Sequence, residues 1–231
     1  MSTNHLIPAA EALDIVVLGA FNPAIFHPEW FLRQKLISEA EANSSDTNIN
    51  VVGKDVAEIN LSGMKIFCMN DRFSIGTSNI SQAARMQDFL LQTFTTLSHV
   101  PVTACGINPQ AHYRVKDESF WHKIGDTLAP KDLIWRDLVE QPGMQSLMIK
   151  ALRKGEFEGE TLLWVEPSQD KRFHPGIFVR ANYSHTFSKE SLHAQSTELL
   201  TKFLKTEWDS ACSMARIVAE KIFDKIKPDN A

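Results

Sequence analysis

No pair of cysteines in this 231-residue chain stands in a CxxC arrangement, and the three present, Cys68, Cys105 and Cys212, lie far apart among apolar neighbours. An odd, scattered set builds no disulfide framework, and a free cysteine in such surroundings acts as a small buried hydrophobe. The expected compartment is therefore reducing and cytoplasmic. The sequence has no GxxxxGK[ST] loop and no GxGxxG after a strand, so no phosphate cradle is expected. It has no GxSxG elbow to present a serine. Its eight histidines include no HExxH, and no CxxC anchors a cluster, so no metal and no cofactor are expected. No apolar run approaches the ~20 residues that cross a bilayer. The first residues, MSTNHLIPAAEALD, carry no positive charge ahead of an apolar core and read as neither signal nor transit peptide.

Excess positive charge is also missing. The net charge is −4 and the pI near 6.1. Residues 13–99 hold six Lys and Arg against nine Asp and Glu, and residues 100–231 hold eighteen of each. The local basic groups, Lys150–Arg153–Lys154 and Lys171–Arg172, flank successive turns and form no continuous stripe. Neither nucleic acid nor an anionic membrane is an expected partner.

What is present is an ordinary globular composition, 43% hydrophobic and 23% charged, in a chain long enough to bury its own core. Residues 1–12 read as a loosely ordered leader. Leu13–Ala20 (LDIVVLGA) is a buried-strand pattern, followed by Asn22-Pro23, a helix-start pair. Phe26, Trp30, Leu32, Leu36 and Ile37 then give a helical apolar face, and residues 39–48 a polar loop. Three short strands are expected at 56–61, 64–69 and 72–77, with turns at Ser62-Gly63 and Asn70-Asp71. Asn79 caps a helix running to about Ser98.

The pattern then restarts. Pro101–Gly106 reads as a strand that ends in Ile107-Asn108-Pro109. A helix capped by Asp117 follows, then a short one from Pro130 to about Val139. Strands are expected at 144–152, 161–165 and 176–185, and a long helix over 189–226. The Asn-Pro pairs recur 86 residues apart and the tryptophans Trp30 and Trp121 are 91 apart. The expected fold is α+β: a tandem duplication of a βαβββα unit over 13–99 and 100–227, antiparallel meander sheets with helices on one face, and a long C-terminal helix.

Two features call for a surface beyond a simple core. Strand 64–69 (MKIFCM) is apolar on both faces, where a sheet with one wet face alternates. On the long helix, Leu204, Trp208, Ala211, Ala215, Val218 and Ile222 follow a 4-3-4-3-4 spacing, an a/d seam. The expectation is a non-catalytic binding or assembly protein that uses this seam for a protein partner or for self-association. The alternative is an enzyme or small-ligand binder with its site in a cleft between the repeats, formed by Asn22, His27, Asn108 and His112 after the Asn-Pro turns. Two weaker groupings, Cys105 with His112 and His122, and His174 with Arg180 and His185, read as core and surface residues.

Overall fold

The computed structural model describes residues 6–132, 134–187 and 195–227. Its frame is one antiparallel sheet of nine strands. The first half contributes β1 (Ala10–Gly19), β2 (Asn48–Val52), β3 (Val56–Leu61), β4 (Met64–Met69) and β5 (Arg72–Thr77). The second contributes β6 (Val102–Arg114), β7 (Leu147–Arg153), β8 (Gly159–Pro167) and β9 (Gly176–Thr186). The spatial order is β2-β3-β4-β5-β1-β6-β9-β8-β7. Each half is a meander whose last strand returns to its first, and the two first strands, β1 and β6, pair at the centre.

Local chemistry explains the meander. Leu61 pairs with Met64, leaving Ser62-Gly63 as a two-residue turn. Both turn residues have positive φ, 47° and 84°, the geometry whose twist suits a hairpin and which glycine adopts freely. Met69 pairs with Arg72 across a second two-residue turn, Asn70-Asp71, in which neither residue has positive φ. β1 alternates: Leu13, Ile15 and Val17 are fully buried, while Asp14 and Val16 point to the other face.

The helices are α1 (Pro28–Arg33), α2 (Glu39–Ala42), α3 (Ala83–Thr96), α4 (Glu118–Leu128) and α5 (Ser196–Lys225). Their starts follow capping rules. Asn22 accepts from the Ala24 amide at 3.2 Å, ahead of a single 3-10 turn at Pro23–Ile25. Asp117 accepts from the Phe120 amide at 2.8 Å. α3 buries Met86, Phe89, Leu90 and Phe94, and α5 buries Leu200, Phe203, Leu204 and Trp208, in one cluster with β1, β3, β4 and β5. Ala215, Ala219 and Ile222 of α5 join Ala111, Tyr113, Ile124 and Val179 in a second cluster on the same sheet face. Trp30 packs on Phe26 and Phe31 in the first half, and Trp121 donates its indole N–H to the Gly176 carbonyl at 2.9 Å in the second. Among the described residues, no helix is long and apolar enough to cross a membrane.

Several expectations need correction. Ala10–Ala12, assigned to a leader, already belong to β1, and Ala9 donates to the His112 carbonyl at 2.7 Å. The polar loop at 39–48 contains α2, and β2 follows it. Between Pro130 and Val139 the described residues form only a 3-10 turn, at Trp135–Asp137. β6 does not stop at Gly106 but runs through Asn108-Pro109 to Arg114. Proline is tolerated there because the β6–β9 ladder skips Asn108 and Pro109, with its register unchanged from Ile107–Tyr183 to Gln110–Arg180. The two Asn-Pro pairs thus differ in role: one starts a helical turn and the other lies in mid-strand. Of the long helix expected from residue 189, positions 189–194 lie outside the described residues.

The seam on the long helix faces inward. Leu204, Trp208, Ala211, Ala215 and Ile222 are buried, and Val218 packs beside them. The reason is β6, whose 13 residues at ~3.4 Å each extend about 44 Å. The 30-residue helix, about 45 Å long, lies along that strand, with Ser196 Oγ accepting from the Val102 amide at its start and Phe223 against Tyr113 near its end. The seam is taken up by this chain's own core.

Phe203, in the second turn of α5, contacts Phe157, Tyr183, His185 and Phe187. Phe203→Ala should lower unfolding free energy by about 3–5 kcal/mol in urea titrations. A loss below about 1 kcal/mol would contradict the packing described.

Candidate functional site

All residues that face away from the helices lie on one open sheet surface, and the register fixes who neighbours whom. The central row runs Asn48, Asn60, Lys65, Gly76, Asp14, Asn108 across β2 to β6, and Asn182 and Leu162 extend it over β9 and β8. The row beside it carries Ala12, Gln110, Arg180, Trp164 and Met148. A third carries Glu58, Phe67, Ser74, Val16, Gly106, Ser184 and Glu160. Amides, carboxylates and single aromatic rings therefore alternate over the surface.

Asp14 is the centre of the polar row. Gly76 opposite it has no side chain, and a Cβ there would fall 2.0 Å from Asp14 Oδ1. The glycine is what lets a carboxylate sit in mid-sheet. Gln110 Nε2 donates to Asp14 Oδ2 at 3.1 Å. Asn108 Nδ2 donates to the Asp14 carbonyl at 3.1 Å and to the Gly106 carbonyl at 3.3 Å. Asn182 Nδ2 donates to Asn108 Oδ1 at 2.6 Å, so a side-chain bridge spans the place where Pro109 opens the ladder. Burial raises the Asp14 carboxyl above its ordinary range, because the charged form loses water without gaining a cation.

A shallow groove of about 830 Å3 runs along this surface, lined by Asp14, Asn48, Asn60, Lys65, Phe67 and Gln110 among others. Toward the β2 edge Lys65 Nζ lies 2.6 Å from Glu58 Oε1, and Asn50 Nδ2 donates to the same oxygen at 3.0 Å. Those two bonds hold the Glu58 carboxyl below its usual range. Toward β9, the Arg180 guanidinium stacks over Trp164, 4.2 Å from the ring centre. At the far end of β6, His112 lies between Phe173 and Phe178, at 4.8 and 4.7 Å, with Nδ1 2.9 Å from Ser168 Oγ. Burial, the largest cause, depresses its basicity.

The four residues of the expected cleft do not converge. Asn22 and His27 cap helical turns beyond the C-terminal end of β1, where His27 Nδ1 accepts from the Glu29 amide at 3.1 Å. Asn108 and His112 lie on the open face, and His112 pairs with Ala10 at the opposite end of β1. Nine strand steps of ~3.4 Å separate those ends, about 30 Å. Direct pairing of β1 with β6 also closes the space between the halves. Arg180 faces the open side, whereas His185 stacks on Phe203 beneath the sheet. Cys105 is buried in β6, where desolvation raises its thiol pKa, and Cys68 and Cys212 are pushed up to about 12. None is a ready nucleophile. Among the described residues, no three His, Cys, Asp or Glu side chains group as metal ligands would. The arrangement is equipped for hydrogen bonding and stacking.

Asp14, Gln110, Asn182 and Trp164 escaped the sequence reading, which named Arg180 only in a weak grouping with His174 and His185. Their signal was period two: Asn108, Gln110 and His112 in β6, and Phe178, Arg180 and Asn182 in β9, interleave with buried residues.

Asp14 gives a pH test. Its raised folded-state pKa means that ionisation favours the unfolded chain above that pKa, while below the ordinary value of 3.8 both states are protonated. Asp14→Asn should therefore be more stable than wild type at neutral pH. The advantage should vanish in acid below 3.8. Paired urea titrations check this, and an advantage that persists or grows in acid would contradict it.

No family model matches the chain, and the search of curated proteins finds no match for it.

Proposed function

We propose that the protein is a non-catalytic binding protein that docks a protein partner on the open face of its sheet. One observation carries this reading. The helices of both core clusters lie on one face, while the other bears Phe67, Trp164 and Phe178 half-exposed among amides and charges. A face meant only for water is polar and alternates cleanly with the core. Aromatic rings with an arginine among hydrogen-bonding groups are the composition of a recognition surface. The apolar second face of β4 belongs here too: Phe67 and Met69 lie on it.

We also infer that the halves arose by tandem duplication of a βαβββα unit. The mirrored strand order about β1 and β6 supports this, with α3 closing one half and α5 the other. On that reading the polar junction at Asp14, Asn108, Gln110 and Asn182 lies where the two units meet. A second reading, a small polar ligand in the groove, draws support from the same convergence. Three unpaired cysteines accord with a cytoplasmic setting.

The test is affinity capture from the native host with wild type, Phe67→Glu and a helix-surface control, Lys205→Glu. The captured protein should bind Phe67→Glu at least tenfold more weakly, about 1.4 kcal/mol. It should bind Lys205→Glu as it binds wild type, all three melting alike. Equal binding to Phe67→Glu, or a wild type that captures no protein and sediments as a monomer, would overturn the proposal.

A further inference from the structure

Arg180 stands out on the open face. Its Nε is buried and meets no acceptor among the described residues, and no described carboxylate lies within ion-pair distance of the guanidinium. Several other arginines have acceptors for their guanidinium Nη or Nε groups, although Arg153 Nε is likewise buried without one. Arg153 donates to the Glu160, Phe157 and Ser184 carbonyls, Arg85 to Glu41, Arg114 to the Arg172 carbonyl, and Arg172 to Asp170. The acids near Arg180 are engaged elsewhere: Glu160 by Lys150, Glu166 by Ser146 and Asp14 by Gln110. The buried Nε stays unpaired, and the Nη groups, which meet no acceptor among the described residues, are left for a partner.

We infer that Arg180 is the anchor of the open face for a carboxylate side chain of the docked partner, an Asp or Glu. The inference rests on the reading of this face as a docking surface. Stacking on Trp164 fixes the guanidinium plane without using its in-plane N–H groups. With Nε turned inward, the end-on pair of Nη nitrogens is the approach left open, and a planar carboxylate matches that fork. The cross-strand neighbour Gln110 and the same-face neighbour Asn182 add neutral amides, and Gln110 also lines the groove. A partner lying in the groove thus reaches Arg180 without leaving the surface. A phosphate is disfavoured: among the described residues Lys150, the other cation on this part of the face, is paired with Glu160, and Asp14, Glu160 and Glu166 on the same face repel a dianion.

The experiment follows the Trp164 indole N–H by NMR during titration of the whole protein. The probes are a terminally blocked glutamate peptide, its glutamine counterpart, succinate and inorganic phosphate. The glutamate peptide should give a saturable shift at a concentration at least tenfold lower than the glutamine peptide. Arg180→Gln should abolish that difference, and Arg180→Lys should restore only part of it, because an ammonium offers no planar fork. Equal responses to the two peptides, or tighter binding of succinate or phosphate than of the glutamate peptide, would overturn the inference. If Phe67→Glu loses the captured partner while Arg180 shows no preference for carboxylate, this inference falls and the docking proposal stands. If Arg180 prefers the glutamate peptide while Phe67→Glu keeps its partner, the docking proposal falls and the carboxylate site stands.

Discussion

β1 and β6 pair antiparallel over ten residue positions, from Ala10–His112 to Gly19–Val102. Were they apart, each half would be a four- or five-stranded sheet with an exposed inner edge. Joined, the halves have no inner edge, and only β2 and β7 remain at the rims. α5 lies along β6 and β9 and against α3 of the first half, with Leu200 to Ala211 in one apolar cluster and Ala215 to Ile226 in the other. The apolar burial that stabilises either half is thus shared through one helix.

The same pairing shapes the open face. Asp14 and Asn108 are directly opposite at its middle, and Gly76 on one flank and Asn182 on the other complete the contact. Two departures from sheet regularity make this possible. Gly76 gives up a side chain so that a carboxylate fits, and Pro109 gives up a ladder bond so that the ladder opens beside Asn108. Buried polar groups are tolerated when they bond to one another, and here the amides do so in sequence from Gln110 to Asp14 and from Asn182 to Asn108. The junction is rigid and polar, with half-exposed Phe67 and Trp164 in the strands to either side.

Much of this was legible in the chain. Strands β3, β4 and β5 fall at the residues expected, because two-residue turns and strict alternation leave little freedom. The Asp117 cap and the long C-terminal helix were also readable. What failed did so for physical reasons. Asn-Pro looks like a strand stop because proline costs a ladder bond, and only the partner strand shows that the bond is not made there. The helical seam at Leu204 to Ile222 looks the same whether it meets another subunit or the chain's own sheet; the long strand β6 beneath it decides. Arg180 and Trp164 are sixteen residues apart, and no local pattern says that β8 and β9 set them side by side. The alternation within β6 and β9 marks which residues face outward, but the strand order is needed to collect them into one surface.

The central claim is that the open sheet face, not the helical face, meets the partner. Hydroxyl-radical footprinting of the protein alone and in complex with the partner taken from its host tests this directly. The account predicts protection of Phe67, Met69 and Trp164, with Ile217 on the helical side and Trp135 in the loop before β7 unchanged. Protection of Ile217 with Phe67 and Trp164 still fully reactive would contradict it.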